Sequence, residues 1–261
     1  MDYAHARHAG NAGDVFKHVA LIALLEAMVR DPAPLTYVET HAGDGLYPLG
    51  SAGEWGDGVL RVWNVRDGLL GRYAEIVRGA SQGGADRPHA LPGSPLIARA
   101  LLRPHDRILL HEIEPRSASV LRRALPDAEV READGLAALP PPAQGRALVL
   151  IDPPYIGKQE WTDAARAMER IRGVPSALWY PIKALTRPRA LIIELAKLGV
   201  HGTAVELHWT PLRLRRERLN GAGLILVSVP KDALASICAV LPALGAALQT
   251  HGEWSAVQIG F

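Results

Sequence analysis

The chain alternates short apolar runs with longer stretches in which apolar residues return every third or fourth position. Val15, Val19, Ile22, Leu25 and Val29 recur at helical spacing, so residues 14–30 predict a helix capped by Asp14, with Pro32 just beyond its end. Residues 35–40, β-branched and aromatic, predict a strand. Further strands are expected over 107–112, 129–133, 147–151, 177–181, 203–209 and 224–229, with an edge strand at the carboxyl end. Helical spacing covers 96–102, 117–124, 161–172, 188–198 and 231–248, the first of these with Ser94 as cap and Pro95 at its first position. Strand and helix in turn predict an α/β fold built on a doubly wound sheet.

One stretch organises the rest. Ala147-Leu148-Val149-Leu150-Ile151 is too unbroken for a solvated strand and predicts a central one buried on both faces. It stops at Asp152-Pro153-Pro154-Tyr155, where the prolines push Asp152 out of the helical region and leave it at the strand's carboxyl end. Open α/β sheets bind ligands at that edge. The prolines have no N–H to donate and an ionised Asp152 only accepts, so the corner suits an amino group. Tyr155 adds a flat face for a planar base, a contact of roughly 1–3 kcal/mol. The blander reading is a turn that closes a buried strand. The tetrapeptide resembles the motif of amino-methyltransferases that modify the exocyclic amine of adenine.

Other candidates gather at strand ends. His41-Ala42-Gly43-Asp44-Gly45 follows the first strand, where a nucleotide-like cofactor can approach the backbone, but it lacks the G-x-G-x-x-G spacing of a pyrophosphate cradle. That disfavours a nicotinamide dehydrogenase; the Glu-x-His-x-Gly-x-Gly form is similar to the first motif of S-adenosylmethionine methyltransferases. Glu112 ends a strand where it can accept from ribose hydroxyls, or simply terminate it. Asp134-Gly135 is first of all a turn, at a place suited to a cofactor's adenine amine. Lys17 and His18, early in the first helix, read by themselves as solvated surface. Arg213, Arg215, Arg216 and Arg218 read either as a solvated charge run or as phosphate contacts.

Composition sets the limits. The 261 residues, 48% hydrophobic and 21% charged, describe a globular protein with a sizeable core. A net charge of +2 imposes no global attraction to nucleic acid, so an RNA site must come from local arginines. A single cysteine, Cys238, excludes an internal disulfide and a cysteine zinc cluster, and no metal is expected. The first 13 residues have no apolar core of a signal peptide, and no unbroken apolar run of about 18 residues predicts a membrane span. A cytoplasmic location is expected. Residues 48–92, rich in glycine, tryptophan and arginine, read as a small helical insertion, including a helical piece over 59–78, in a main domain of 1–47 and 93–261. Its arginines and tryptophans suit either an RNA grip or a packing face.

The phrases His8-Ala9-Gly10-Asn11, Asp14-Val15-Phe16-Lys17-His18, Thr40-His41-Ala42-Gly43, Pro92-Gly93-Ser94-Pro95-Leu96-Ile97-Ala98-Arg99, Ala133-Asp134-Gly135, Ile151-Asp152-Pro153-Pro154-Tyr155 and Ala177-Leu178-Trp179-Tyr180-Pro181 resemble the RlmJ family over nearly the whole chain. That family methylates N6 of adenine 2030 in 23S ribosomal RNA. The resemblance implies a Rossmann-like class I S-adenosylmethionine-dependent methyltransferase fold and S-adenosylmethionine as cofactor. It implies that His18, His41, Ser94, Glu112, Asp134 and Gly135 contact the cofactor and that Asp152 meets both cofactor and target amine. Tyr3, His5 and Lys17 would border the RNA entrance. Residues 51–91 depart from the family pattern, so no RNA contact is carried over there.

The expected chemistry has Asp152 and the Pro153 carbonyl holding the amine hydrogens, beside Tyr155, during in-line methyl transfer. 23S rRNA is the expected partner, with no membrane, and a monomer is expected. A DNA adenine or protein glutamine methyltransferase shares this corner, and a non-enzymatic RNA-binding module is the rival of a different class.

Overall fold

The computed structural model describes residues 8–81, 86–139, 146–214 and 219–261. In chain order its strands are β1 Leu35–Glu39, β2 Leu46–Pro48, β3 Ala90–Pro92, β4 Arg107–Glu112, β5 Glu129–Glu132, β6 Arg146–Ile151, β7 Ser176–Ile182, β8 Thr203–His208, β9 Gly221–Val227 and β10 Ser255–Gly260. The helices are α1 Ala12–Met28, α2 Val59–Val62, α3 Gly68–Ala80, α4 Ser94–Leu101, α5 Pro115–Ala124, α6 Gly135–Ala138, α7 Gln159–Arg170, α8 Thr186–Lys197 and α9 Lys231–Leu248.

Eight strands form one sheet in the order β10-β8-β9-β7-β6-β1-β4-β5, and β2 pairs separately with β3. From β5 through β7 neighbours run parallel, whereas β9 enters antiparallel between β7 and β8, and β10 closes the edge antiparallel to β8. The run of apolar residues in β6 is explained by this position. Leu148 and Leu150 face the core shared with α1, α4 and α9, while Val149 and Ile151 face the core shared with α7 and α8.

The sheet reverses direction of growth between β1 and β6, the neighbours in the middle of the order. A crevice opens beyond the carboxyl ends of two such strands because their connections leave to opposite sides. The loops after Glu39 and Ile151 meet there.

Several local expectations are corrected. Helix α1 begins at Ala12, and its cap is Asn11 rather than Asp14: the Asn11 side chain accepts from the Asp14 amide at 3.0 Å, and Asp14 accepts in turn from the Gly10 amide at 2.9 Å. Gly93, not Ser94, is the cap of α4, because the Ser94 hydroxyl turns inward to a carboxylate. The helical stretch expected over 59–78 is broken between α2 and α3. Asp134-Gly135 is more than a turn, since Asp134 caps the one-turn helix α6 by accepting from the Leu136 and Ala137 amides. The β2–β3 ribbon, too short to show alternation, carries the chain out at Pro48 and back at Ala90. Between its strands, Trp63, Tyr73 and Val77 bury into the same core as α1. Among the described residues α9 is the one helix long and apolar enough to cross a membrane by length and composition, a reach that no unbroken apolar run in the sequence had suggested. Its Ile237, Leu241, Leu244 and Leu248 form a stripe packed into the core.

Candidate active site

Asp152 follows β6 directly, and its side chain is only 17% exposed. The residue expected to stand free as an acceptor is held: Lys17 Nζ donates to Asp152 Oδ2 at 2.6 Å and to Asp14 Oδ1 at 3.0 Å. Lys17 therefore does not lie on solvated surface; it is buried at the second turn of α1 between two carboxylates. Burial works against its charge, but Asp152 and Asp14 outweigh that and hold the ammonium well above its usual pKa. Burial likewise pushes Asp14 up, and the Lys17 charge with hydrogen bonds from Lys17 and the Gly10 amide brings it below its usual 3.8.

Beneath this pair lies Glu39, the last residue of β1 and fully buried. Its oxygens accept from the Ser94 hydroxyl and, at 2.8 Å, from the Tyr37 hydroxyl. Burial raises its pKa to about 7 against those two hydrogen bonds. Among the sequence candidates Glu112 carries a role as an acid at a strand end and Glu39 carries none, although the same signal marks both and Glu39 opens the Glu-x-His-x-Gly-x-Gly form.

The cofactor-side candidates converge on the loop after β1. Glu112 accepts from the Gly43 amide at 2.7 Å, and the Asp44 amide donates to Tyr47 Oη at 3.1 Å. Gly43 and Gly45 take positive φ values of 62° and 80°, which glycine adopts without strain. At Gly135 a Cβ would collide with the Thr40 carbonyl, so only glycine lets the two loops touch. His41 is bonded to the Thr40 hydroxyl at 2.8 Å and lowered in pKa by burial despite the acids around it. His18 is buried with Nδ1 unpartnered, and burial with the nearby Lys17 charge lowers it to about 3, so its ring is neutral.

Pro153 is buried and Pro154 exposed. Tyr155 adopts a positive φ of 53°, and its hydroxyl donates to the Trp179 carbonyl at 2.7 Å while its ring lies 4.4 Å from that of Trp161. The expected stacking face is thus half-buried in an aromatic group that the sequence did not reveal. Tyr3, His5 and Arg215, Arg216 and Arg218 fall outside the described residues; Arg213 pairs with Glu253 at 2.6 Å. No group of three or more potential metal ligands occurs among the described residues.

A nucleotide-like cofactor without phosphates fits this donor set. The crevice offers the part-exposed Glu112 carboxylate at the end of β4, a glycine loop with close backbone approach, and an orphaned buried imidazole nitrogen at His18. Sheet order, glycine loop and Asp-Pro-Pro-Tyr corner together define a methyltransferase with the Rossmann-like fold of the S-adenosylmethionine-dependent enzymes. Residues 32–259 match the family model described as Ribosomal RNA large subunit methyltransferase D, RlmJ. The chain belongs to that family. It is 34% identical to Ribosomal RNA large subunit methyltransferase J of Escherichia coli (strain K12), over 97% of this chain and 95% of the relative. Identity to the protein of the same name from Haemophilus influenzae is 31%, over 98% and 96%. A crystal structure of a Legionella pneumophila protein, 29% identical, superposes with a TM-score of 0.87 over 97% of this chain and 98% of the other.

Proposed function

We propose that this chain methylates N6 of a single adenine in 23S ribosomal RNA, the adenine 2030 site, with S-adenosylmethionine as donor. The observation that carries the reading is the acceptor corner at Asp152, set at the point where the sheet reverses between β1 and β6. His18, His41, Ser94, Glu112, Asp134 and Gly135 would hold the cofactor, which supplies an electrophilic methyl group when bound. The protein's part is orientation and charge. An adenine amine is a weak nucleophile because its lone pair is delocalised into the ring. Asp152 and the Pro153 carbonyl accept its two hydrogens and draw the nitrogen toward tetrahedral geometry. The nitrogen becomes cationic only as it attacks, and the carboxylate stabilises that charge without acting as a strong base beforehand.

Lys17 must yield some of its hold on Asp152 for the amine to engage, and it remains anchored to Asp14 when it does. The base must be unpaired or flipped to reach a corner this enclosed. Tyr155 would border it, with Tyr3 and His5 at the RNA entrance. In this reading residues 1–47 and 93–261 carry the chemistry and 48–92 ride on them, in a monomer working on ribosomal RNA in the bacterial cytoplasm. Tritiated methyl transfer to 23S rRNA fragments, DNA and protein tests it: label in N6-methyladenine of the RNA alone is expected, and label in DNA or glutamine would overturn it.

A further inference from the structure

The residues between β2 and β3 lie outside the chemistry described above, yet they hold the segment just before α1. Glu54, in a 3-10 turn at Glu54–Asp57, accepts from Asn11 Nδ2 at 3.2 Å and pairs with His8 Nδ1 at 2.9 Å. The Gly10 carbonyl accepts from the Val59 amide at 2.8 Å, at the start of α2. A Cβ at Gly58 would collide with that carbonyl and with Asn11, so the two segments approach as closely as backbone allows. Gly10 itself takes a positive φ of 80° against Trp55 and Val59.

Asn11 is also the cap of α1. Contacts therefore run without a gap from Glu54 to Asn11, from Asn11 to the Asp14 amide, from Asp14 to Lys17, and from Lys17 to Asp152. We infer that Glu54 is a positioning residue of the methyl-transfer site, acting through the Asn11 cap to fix the register of α1 and hence where Lys17 holds Asp152. The inference rests on the proposed function for its kinetic consequence, though not for its structural one. It makes residues 54–59 a clamp on residues 8–11, directly before the helix that carries Lys17.

Glu54→Ala and Glu54→Gln test this in the full chain. Glu54 is half exposed, so neither variant removes core volume. Two exposed polar contacts of the usual size predict a roughly threefold to tenfold rise in amide exchange at residues 10–14 of the alanine variant, with the central strands unchanged. kcat/KM for RNA is expected to fall by a similar factor while KM for S-adenosylmethionine stays constant, and the glutamine variant, which can still accept from Asn11, is expected to recover most of both. Unchanged exchange at 10–14, or exchange raised evenly through α3 and α9, would overturn the clamp. An alanine variant with faster local exchange and wild-type kcat/KM would overturn the link to Asp152. If the parent methylates no RNA, the proposed function fails while the exchange result still decides the clamp.

Discussion

The two edges of the sheet solve the same problem, buried charge, in opposite ways. At the amino edge Asp106 accepts from the Leu35 and Arg103 amides and from the Arg103 guanidinium, and Arg103 also reaches the carbonyls of Val29, Asp31 and Ala33. Arg146 takes the Met28 and Ala33 carbonyls. The two arginines thus satisfy the acceptors left over where α1 ends. At the carboxyl edge, Lys17 is squeezed between two acids, Glu39 is raised to about 7, and His18 Nδ1 and Trp179 Nε1 have no partner. The Asp106, Arg103 and Arg146 contacts tie the amino ends of β1, β4 and β6 together, with the Ser176 hydroxyl at the start of β7 left unpartnered; at the carboxyl edge the unpartnered His18 and Trp179 nitrogens belong to side chains that lie beside Lys17.

The sharpest way to separate the edges is to remove one acid from each. Asp152→Asn, which keeps the side-chain volume and leaves Lys17 paired with Asp14, is expected to lower methyl transfer at least 10²–10³-fold, about the size of losing one preorganised transition-state contact. Some loss of thermal stability is expected too, since Lys17 loses one of its two buried counter-charges, so turnover is compared per folded molecule; a rate within tenfold of the parent would refute the acceptor role. Asp106→Ala is expected to do the reverse. It strands the buried Leu35 amide and costs about 1–3 kcal/mol of stability, read by denaturant unfolding, with turnover per folded molecule preserved.

The pH dependence should differ in sign. Asp106 falls to about 2 because its hydrogen bonds from Arg103 and the two amides outweigh burial. A depressed carboxylate contributes stability above its ordinary 3.8, and that contribution is lost as pH drops through about 2. Glu39 is raised, so the folded state holds a proton that the unfolded chain releases near 4.5; its contribution is present in acid and lost as pH climbs from 4.5 through about 7. Glu39→Gln should flatten the stability profile in that upper window and leave the acid limb intact, as measured by urea titrations from pH 2 to 8.

The smallest effect is expected at Arg213, whose exposed pair with Glu253 should matter little to unfolding. If it and the arginines at 215, 216 and 218 join in neutralising about five phosphates, RNA affinity falls on the order of a hundredfold between 50 and 200 mM salt, and Arg213→Ala reduces that slope by roughly one phosphate's share. A flat salt response would make the loop plain surface.

Particular residues show what could be read in advance. The buried strand before Asp152, the helix over Lys231–Leu248 and the placement of Glu112 at a strand end follow from periodicity and strand-stop chemistry, which act within a few residues. Asp14 and Ser94 are residue types that favour helix caps. Each is drawn instead to a partner fixed by the fold: Asp14 holds Lys17, and Ser94 reaches Glu39, 55 residues away in sequence. The aromatic group of Tyr155, Trp161 and Trp179 escaped notice because its members come from a loop, a helix and a strand with no shared spacing.

By itself the sequence determined the longer helices, the strands of the main sheet with its buried centre, and the position of Asp152 at a strand end before two prolines, since all of these depend on neighbours along the chain. Only the tertiary structure decided that β9 enters between β7 and β8, that Glu54 grips Asn11 and that Lys17 meets Asp152 across 135 residues. Those outcomes depend on which faces must be buried together, and a side chain's partner across the sheet leaves no periodic trace in the chain that carries it.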